Sequence, residues 1–263
     1  MSAKFRIATI ANDLEQYREM KDSFTRAGFD ESNTSYVLYD NTRGNVHDPY
    51  HVLSQLLADD GDEYKILCHQ DVLATCGDGY AKLTTCLAQL DAQDPNWAVA
   101  GNAGGKEDLR CVTRISDPSG DDQKCGEFPA SVLSLDENFL LINPRSRVAM
   151  SPGLSGFHLY GTDLCLNSRA RGYRCYVIDF HIRHKGAGTI GRAFAECKQA
   201  IELCWGARSE FMVVRTMCTT LVITRSAPRR LLVHWRINLV EYLRVTRRKV
   251  LRIAHRKRAI SNV

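Results

Sequence analysis

The stretch FRIATIANDLEQYREMKDSFTRAGF, residues 5–29, decides the fold class because it joins a strand pattern to a helix pattern. It begins with a short apolar run rich in Ile and Ala, which predicts a buried strand. Asn12 or Asp13 can then cap a helix, and Gly28 can end it. The stretch therefore predicts a strand followed directly by a helix.

The next segments repeat this alternation. SYVLYDN (residues 35–41) and YKILC (residues 64–68) predict two further strands. Between them, Asp48 predicts a helix N-cap, and Pro49 suits the first turn because its missing N–H does no harm there. Strand, helix and strand in alternation are typical of parallel crossover units. The sequence therefore predicts an α/β fold with a mixed, mostly parallel central sheet.

The second half of the chain predicts more strands, two helices and two exposed loops. Thr162 is the predicted N-cap of one helix, with Asp163 in its first turn and Gly172 as its stop. The other predicted elements are strands at residues 96–101, 111–116, 137–143 and 173–180, a helix over 191–206, and mobile surface loops at 102–110 and 117–127. These two loops are candidate lids or acceptor contacts.

Charge divides the chain into an acidic body and a basic tail. Residues 225–258 hold twelve Lys and Arg against one acid, a net charge of +11, whereas residues 1–224 carry a net charge of −6. The sequence therefore predicts a catalytic domain over residues 1–224 and a basic amphipathic helical tail over residues 225–263. The tail fits an anionic membrane surface best. Nucleic acid, another subunit, or the body of the protein are the alternative partners.

The ten cysteines are scattered and form no CxxC pair, which favours reduced thiols over a disulfide framework or a zinc site. The first residues lack the apolar core of a signal peptide. The apolar run at residues 211–224 contains Arg215 and is shorter than a bilayer crossing. A cytoplasmic location is expected, peripheral to the inner face of the membrane if the tail binds lipid.

Polar side chains follow the first three predicted strands, where parallel sheets of this class bind ligands. These exits are Asn12-Asp13, Asp40-Asn41 and His69-Gln70-Asp71. No Gly-rich phosphate loop follows the first strand, which excludes the dinucleotide fingerprint, and no P-loop occurs in the chain. Oxygen and imidazole ligands without a basic cradle favour a divalent cation, Mn²⁺ or Mg²⁺, on Asp71.

Each candidate residue also has a purely structural interpretation. Asp71 could be a turn or capping residue. Asp163 could be a general base, or it could only complement the helix dipole. His181 and His184, three residues apart before a Gly-rich turn, could contact a metal or a phosphate, or could be ordinary surface or core histidines.

The segments YDN, HQDV and GFHLYGTDLCLNSRARGYRCYVIDFHIRHKGAGT together resemble nucleotide-sugar-dependent glycosyltransferases of the GT-A fold. Within these, the chain is similar to the family-two-like group that shares a domain with a streptomycin-biosynthesis protein. The resemblance covers roughly residues 5–200. An HQD run in that group stands in for the usual aspartate–any–aspartate motif.

The resemblance implies roles for individual residues. Asp163 would be the base that deprotonates an acceptor hydroxyl, with inversion at the sugar. Asp71 and His184 would hold the metal on the sugar diphosphate, with His181 as the competing histidine. The nucleotide-binding residues would be Asn12, Asp40, Asn41, His69 and Asp71. His69 replaces the acid that the general pattern places there, so the resemblance does not carry the ribose contact of that acid over to this position.

The sequence thus predicts an inverting, metal-dependent glycosyltransferase that acts on a glycan or lipid-linked acceptor. Two alternatives remain open: a non-enzymatic sugar-nucleotide or glycan-binding protein, and a nucleotidyltransferase acting on sugar phosphates. The nucleotidyltransferase would need a basic Gly-rich loop after the first strand, which this chain lacks.

Overall fold

The computed structural model describes residues 4–75, 77–186, 188, 190–237 and 239–240. Within these residues the strands are β1 (Phe5–Ala11), β2 (Thr34–Asp40), β3 (Tyr64–Cys68), β4 (Val72–Leu73), β5 (Trp97–Gly101), β6 (Ala103–Gly105), β7 (Cys111–Asp117), β8 (Gly120–Cys125), β9 (Ala130–Val132), β10 (Ser134–Leu135), β11 (Phe139–Ile142), β12 (Arg174–Val177), β13 (Ile182–His184), β14 (Met212–Arg215) and β15 (Thr220–Ile223). The helices are α1 (Leu14–Arg26), α2 (Pro49–Ala58), α3 (Tyr80–Gln93), α4 (Tyr160–Ala170) and α5 (Arg192–Arg208), followed by α6 over 227–237, which continues at 239–240.

The larger sheet has the strand order β2-β1-β3-β11-β5-β12-β9. β1 runs parallel to β2 and β3, and β12 runs parallel to β5. β11 lies antiparallel between β3 and β5, and β9 lies antiparallel beside β12. The predicted α/β class and mixed sheet are confirmed. Five of its seven strands, β1, β2, β3, β5 and β12, run in one direction, and β11 and β9 run in the other, so parallel strands are in the majority as predicted.

Helices cover both faces of the larger sheet, because neighbouring residues of a strand point to opposite sides. Phe5 and Ile7 of β1 pack with residues of α1 and α3 in one apolar core. Ala8 of the same strand packs with residues of α2 and α4 in a second core. The sheet is therefore buried on both faces, and its strand ends are the places where a ligand can approach.

The first two helices begin as their sequences predict. Asp13 caps α1, and its carboxylate accepts hydrogen bonds from the backbone N–H of Glu15 at 2.9 Å and of Gln16 at 3.1 Å. Asp48 caps α2 and accepts from the N–H of Tyr50 at 2.8 Å. Each cap satisfies N–H groups that the first turn of a helix leaves without a partner.

Helix α4 begins earlier than predicted. Its N-cap is Leu159, which has a left-handed backbone with φ of 63°. Thr162, the predicted cap, lies inside the first turn with its side chain fully buried. The prediction of Thr162 was wrong because tertiary packing at Leu159, rather than a local side-chain cap, starts this helix.

A second sheet, β10-β6-β7-β13-β4, lies beyond the first, and β8 pairs with β7. Residues 102–110 and 117–127 were predicted to be loops, but they contribute β6 and β8 to this sheet. Both strands run antiparallel to β7. Backbone pairing with β7 therefore orders much of what the Gly- and Asp-rich composition assigned to mobile loops.

The C-terminal elements pack as a third layer. Ile201 and Trp205 of α5 share an apolar core with Val214 and Leu221 of the β14–β15 hairpin and with Leu166 of α4. The predicted tail is described only as far as 240, and the rest of that prediction lies outside the described residues. Across the described part of the chain, no helix reaches the length and hydropathy that a bilayer crossing requires. The nine described cysteines all carry free thiols.

Candidate metal centre and ligand cleft

A cleft of about 750 Å³ lies at the carboxyl ends of β1, β2 and β3. These strands are parallel neighbours, so their ends meet at one edge of the sheet. The cleft is lined in part by Asn12, Asn41, His69, Gln70, Asp71 and His184. Its volume is in the range of sites that bind small molecules and cofactors.

Strand pairing brings His184 to Asp71. β13 pairs antiparallel with β4, and His184 lies opposite Val72, which follows Asp71 in the chain. The Lys185 N–H also donates to the Asp71 carbonyl at 3.0 Å. As a result, His184 Nε2 lies 3.3 Å from Asp71 Oδ1. Residues that are more than a hundred positions apart thus form one polar cluster.

His69 completes a cluster of three side chains that could hold a metal ion. Its Nδ1 lies 3.4 Å from His184 Nε2. One ligand atom from each of His69, Asp71 and His184 can be chosen so that all lie within 4.8 Å of one another. The other ring nitrogen of His69 is 2.9 Å from the hydroxyl of Tyr160. Such outer hydrogen bonds orient metal-binding imidazoles.

Gly186 lets the backbone close over Asp71. A Cβ at this position would lie 2.5 Å from Asp71 Oδ2 and 3.6 Å from His184 Nε2. Any larger residue would therefore push into the carboxylate. This close approach gives a physical reason for glycine in the Gly-rich turn that follows β13.

The electrostatics of the cluster favour an ionised carboxylate. Burial works to raise the pKa of Asp71, but the hydrogen bond and charge of His184 and the charge of His69 outweigh it and hold that pKa to about 2. Burial lowers the pKa of His184, but the hydrogen bond and charge of Asp71 overcome this and raise it. Burial, followed by the charge of His184, lowers the pKa of His69. Asp71 is thus an anion at neutral pH.

Gln70 connects the exits of β1 and β3. Its side-chain oxygen accepts from the backbone N–H of Asn12 and of Asp13, both at 2.9 Å. Its side-chain nitrogen donates to Asn12 Oδ1 at 2.7 Å. Asn41, at the exit of β2, uses its own amide to close the following loop on the backbone of His47. Hydrogen bonds from amide side chains therefore hold the strand ends at the floor of the cleft together.

Acidic residues form another part of the cleft wall. Asp136 and Glu137, between β10 and β11, line the cleft together with Asp117 from the end of β7. Burial, with a contribution from the charge of Asp136, raises the pKa of Glu137 to about 8, although the N–H groups of Gly161 and Leu159 oppose the shift. The protonation of Glu137 therefore changes near neutral pH.

Asp163 lies outside this cleft and is fully buried. Its carboxylate accepts from the Ser151 N–H at 2.8 Å, from Ser151 Oγ at 2.7 Å and from Trp205 Nε1 at 2.7 Å. Asn167 Nδ2 adds a further contact at 3.1 Å. A carboxylate enclosed in this way cannot reach an acceptor hydroxyl, so the structure corrects the prediction of Asp163 as a general base. Asp163 instead joins α4 to α5.

Two other predicted residues also lie away from the cleft. His181 is buried, and its Nε2 is 2.9 Å from Ser116 Oγ, so His184 rather than His181 is the histidine beside Asp71. Asp40 is exposed, and its carboxylate accepts from the N–H of Thr42 at 2.8 Å in a local turn. The other residues predicted to bind the nucleotide or the metal, Asn12, Asn41, His69, Asp71 and His184, all line one cleft.

Sequence reasoning missed several residues of the site. Glu137 lies inside a predicted strand, and Tyr160 precedes the predicted helix, so neither position carries a local signal for a cleft residue. The Gly-rich sequence after His184 marks a turn, but it does not by itself predict the close approach of Gly186 to Asp71. For Gln70 the available signal was its position in the centre of the HQD run, and in the structure it bonds to Asn12 across the sheet edge.

No protein-family model matches the sequence. The protein "ATP synthase subunits region ORF 6" of Fuscovulum blasticum is 35% identical over 201 residues, which cover 74% of this chain and 80% of that protein. The chain belongs to the same family as that protein. The crystal structure of A197 from STIV has a TM-score of 0.40 and 12% identity, over 69% of this chain and 85% of that one. Neither name states a reaction.

Proposed function

We propose that the protein is a metal-dependent glycosyltransferase of the GT-A fold. It would move a sugar from a nucleotide-diphosphate sugar to a hydroxyl of a glycan or lipid-linked acceptor. The observation that carries this proposal is the convergence of His69, Asp71 and His184 in a cleft that also contains Asn12 and Asn41. The cleft combines a cation-binding cluster with the strand ends at which nucleotides bind in α/β sheets.

The architecture supports the GT-A assignment. Three parallel strands end in the cleft, an antiparallel strand lies next in the same sheet, and a second sheet holds His184 beside Asp71. The HQDV segment supplies two members of that cluster. The GTDLCL segment has a different role, because its aspartate holds α5 against α4.

The donor set fits a divalent cation, and it fits Mn²⁺ better than Mg²⁺. Two imidazoles and one carboxylate suit a transition metal, whereas Mg²⁺ prefers oxygen ligands. Bound there, the cation would neutralise the diphosphate that leaves the sugar. Asp71 supplies the anionic ligand, and Tyr160 fixes the ring of His69 through their hydrogen bond. Asn12, held by Gln70, presents polar atoms at the nucleotide end of the cleft.

Glu137 replaces Asp163 as the proposed base on the acceptor side. Its carboxylate lines the cleft at the start of α4, so it can meet a bound hydroxyl without a change of fold. Asp136 and Tyr160 are the neighbouring titratable groups. A general base works best when its pKa is close to the working pH, which is the case for Glu137.

Thermal shift measurements test the metal and donor site. Nucleoside diphosphates of each base, with and without Mn²⁺, should stabilise the wild-type protein in a metal-dependent way, and one base should be preferred. Asp71→Asn should lose this shift, whereas Asp40→Asn, an exposed acid near the end of β2, should keep it. A panel without any shift, or an unchanged shift in Asp71→Asn, would contradict the proposed donor site.

Turnover of the sugar nucleotide identified in this way tests the reaction. Glu137→Gln should keep the nucleotide-dependent shift but lose turnover by about 10²- to 10⁴-fold, the usual contribution of a general base. Unchanged turnover would refute the role of Glu137 and leave the metal site intact. A wild-type protein that binds the donor but neither transfers nor hydrolyses it would favour the sugar-nucleotide-binding alternative.

A further inference from the structure

Helix α6 exposes a stripe of large apolar side chains. Leu231 is 70% exposed, Leu232 50%, Trp235 60% and Leu239 39%. A helix turns by about 100° per residue, so these positions lie within one quarter to one third of its circumference. A contiguous row of exposed Leu and Trp marks an interaction surface rather than ordinary surface composition.

The opposite side of α6 packs against α5. His234 Nε2 lies 3.0 Å from Glu202 Oε1 and 3.3 Å from Lys198 Nζ, both on α5. Val233 and Ile237 are half-buried on the same side as His234. The helix is therefore docked on the protein, and its apolar stripe faces outward.

Contacts at the start of α6 fix this orientation. The Arg229 guanidinium carbon lies 3.9 Å from the centroid of the Phe211 ring, a cation–π contact. Arg225 donates to the Ala207 carbonyl at 3.0 Å. The stripe is thus presented by an anchored helix and not by a free end of the chain.

The charges that accompany the stripe are predominantly positive. Residues 225–240 contain four arginines and no acidic residue. Residues 241–258 add eight Lys and Arg against one acid, Glu241. Arg229 and Arg236 are both exposed at the border of the stripe. The surface complementary to this pattern has an apolar interior and an anionic face.

We infer that α6 docks on an anionic lipid bilayer, with Leu231, Leu232 and Trp235 at the acyl boundary and the arginines among the phosphate headgroups. Amphipathic helices with a basic polar edge bind membranes in this way, through apolar burial and attraction to anionic lipids. This inference goes beyond the proposed function and does not depend on it.

The charge pattern argues against the two other occupants. A second copy of the chain would bring two strongly basic helices together, and like charges would oppose the contact. A nucleic acid would satisfy the arginines through its phosphates but would leave the Leu and Trp stripe in water. A lipid surface satisfies both features of the helix at once.

Co-sedimentation of the full chain with vesicles tests the inference. We expect binding to phosphatidylcholine vesicles that contain about a third of phosphatidylserine or phosphatidylglycerol, weakened by added salt, and much weaker binding to pure phosphatidylcholine. Leu231→Ser with Trp235→Ser should weaken binding at least about tenfold, since each change removes the burial of a large apolar side chain. Arg236→Gln should weaken binding to anionic vesicles by about fivefold.

Val46→Ser, which changes a 75% exposed apolar residue in the loop after β2, is the matched control and should bind as the wild type does. Trp235 gives a second readout, because Trp97 and Trp205 are buried and a blue shift of emission on lipid addition would report Trp235. Equal binding by the double variant, or loss of a dimer instead of lipid binding in that variant, would overturn the inference. So would tight binding to DNA or RNA without binding to anionic vesicles.

Discussion

Asp71 at the exit of β3 and Asp163 at the start of α4 are both carboxylates at the end of a secondary-structure element, but their surroundings differ. Asp163 is enclosed by Ser151, Trp205 and Asn167, which donate to both of its oxygens. Asp71 has His184 and the backbone at Gly186 beside it and opens into the cleft. One carboxylate joins helices, and the other is available to a ligand.

The comparison shows that the role of an acid is decided by how many donors the fold brings to it. A carboxylate that is saturated by internal hydrogen bonds contributes to stability, and its loss leaves buried donors without partners. A carboxylate with unused acceptor capacity facing a cleft can bind a cation or a proton.

The largest expected effect on stability is at Asp163. Asp163→Asn should lower the free energy of unfolding by about 3 kcal/mol, because an amide cannot accept from all the buried donors around it. Asp71→Asn should lower the free energy of unfolding by about 1 kcal/mol or less, since water in the open cleft can hydrate the amide. Urea unfolding of both variants, with Asp40→Asn as the exposed control, measures the difference. Equal losses at Asp71 and Asp163 would contradict the comparison.

Glu137 should give a smaller effect that depends on pH. Its folded pKa of about 8 lies above the ordinary value of 4.5, so the folded protein holds a proton that the unfolded chain releases. Stability should therefore fall as pH rises from about 4.5 to 8, by about 2 kcal/mol given that the residue faces a water-accessible cleft. Glu137→Gln should remove this decline. The measurement is urea unfolding of both proteins across this pH range. If the free energy of unfolding falls equally with pH in the wild type and in Glu137→Gln, the raised pKa does not belong to Glu137.

The smallest expected effect is at Gly186. Gly186→Ala places a methyl group 2.5 Å from Asp71 Oδ2, which must displace the carboxylate or the loop. We expect affinity for Mn²⁺ to fall about tenfold, as for other changes just outside a metal cluster. Gly191→Ala is the matched control, because a Cβ there would meet no atom within 4 Å. Calorimetric titration with Mn²⁺ compares the two variants, and equal affinities would remove Asp71 from the ligand set.

The strands, helix starts and chain direction of the first 70 residues could be predicted from local patterns. Asp13 and Asp48 cap helices as their positions indicate, because capping depends on neighbours in sequence. The antiparallel insertion of β11 could not be predicted in this way. The direction of β11 depends on its pairing with β3 and β5, which are distant in the chain. The FLLI segment itself has no periodic pattern that would predict this direction.

The candidate site, too, could be predicted only where it follows from local sequence patterns. The meeting of Asn12, Asn41, His69 and Asp71 follows from the parallel strands, whose exits share one edge. The choice of His184 over His181 depends on the register of β13 against β4. The role of Asp163 depends on hydrogen-bond donors from Ser151 and Trp205, and no local sequence motif predicts that these residues contact it.

Gln70 has a consequence for motion within the molecule. Because its one amide contacts the Asn12-Asp13 backbone and the Asn12 side chain, the end of β3 and the first turn of α1 are coupled mechanically. A displacement of Asp71 on ligand entry would pull on the neighbouring Gln70 and thereby tilt α1. The far side of α1 would then report events in the cleft, so that a spectroscopic label at exposed Arg18 could follow ligand arrival from a distance.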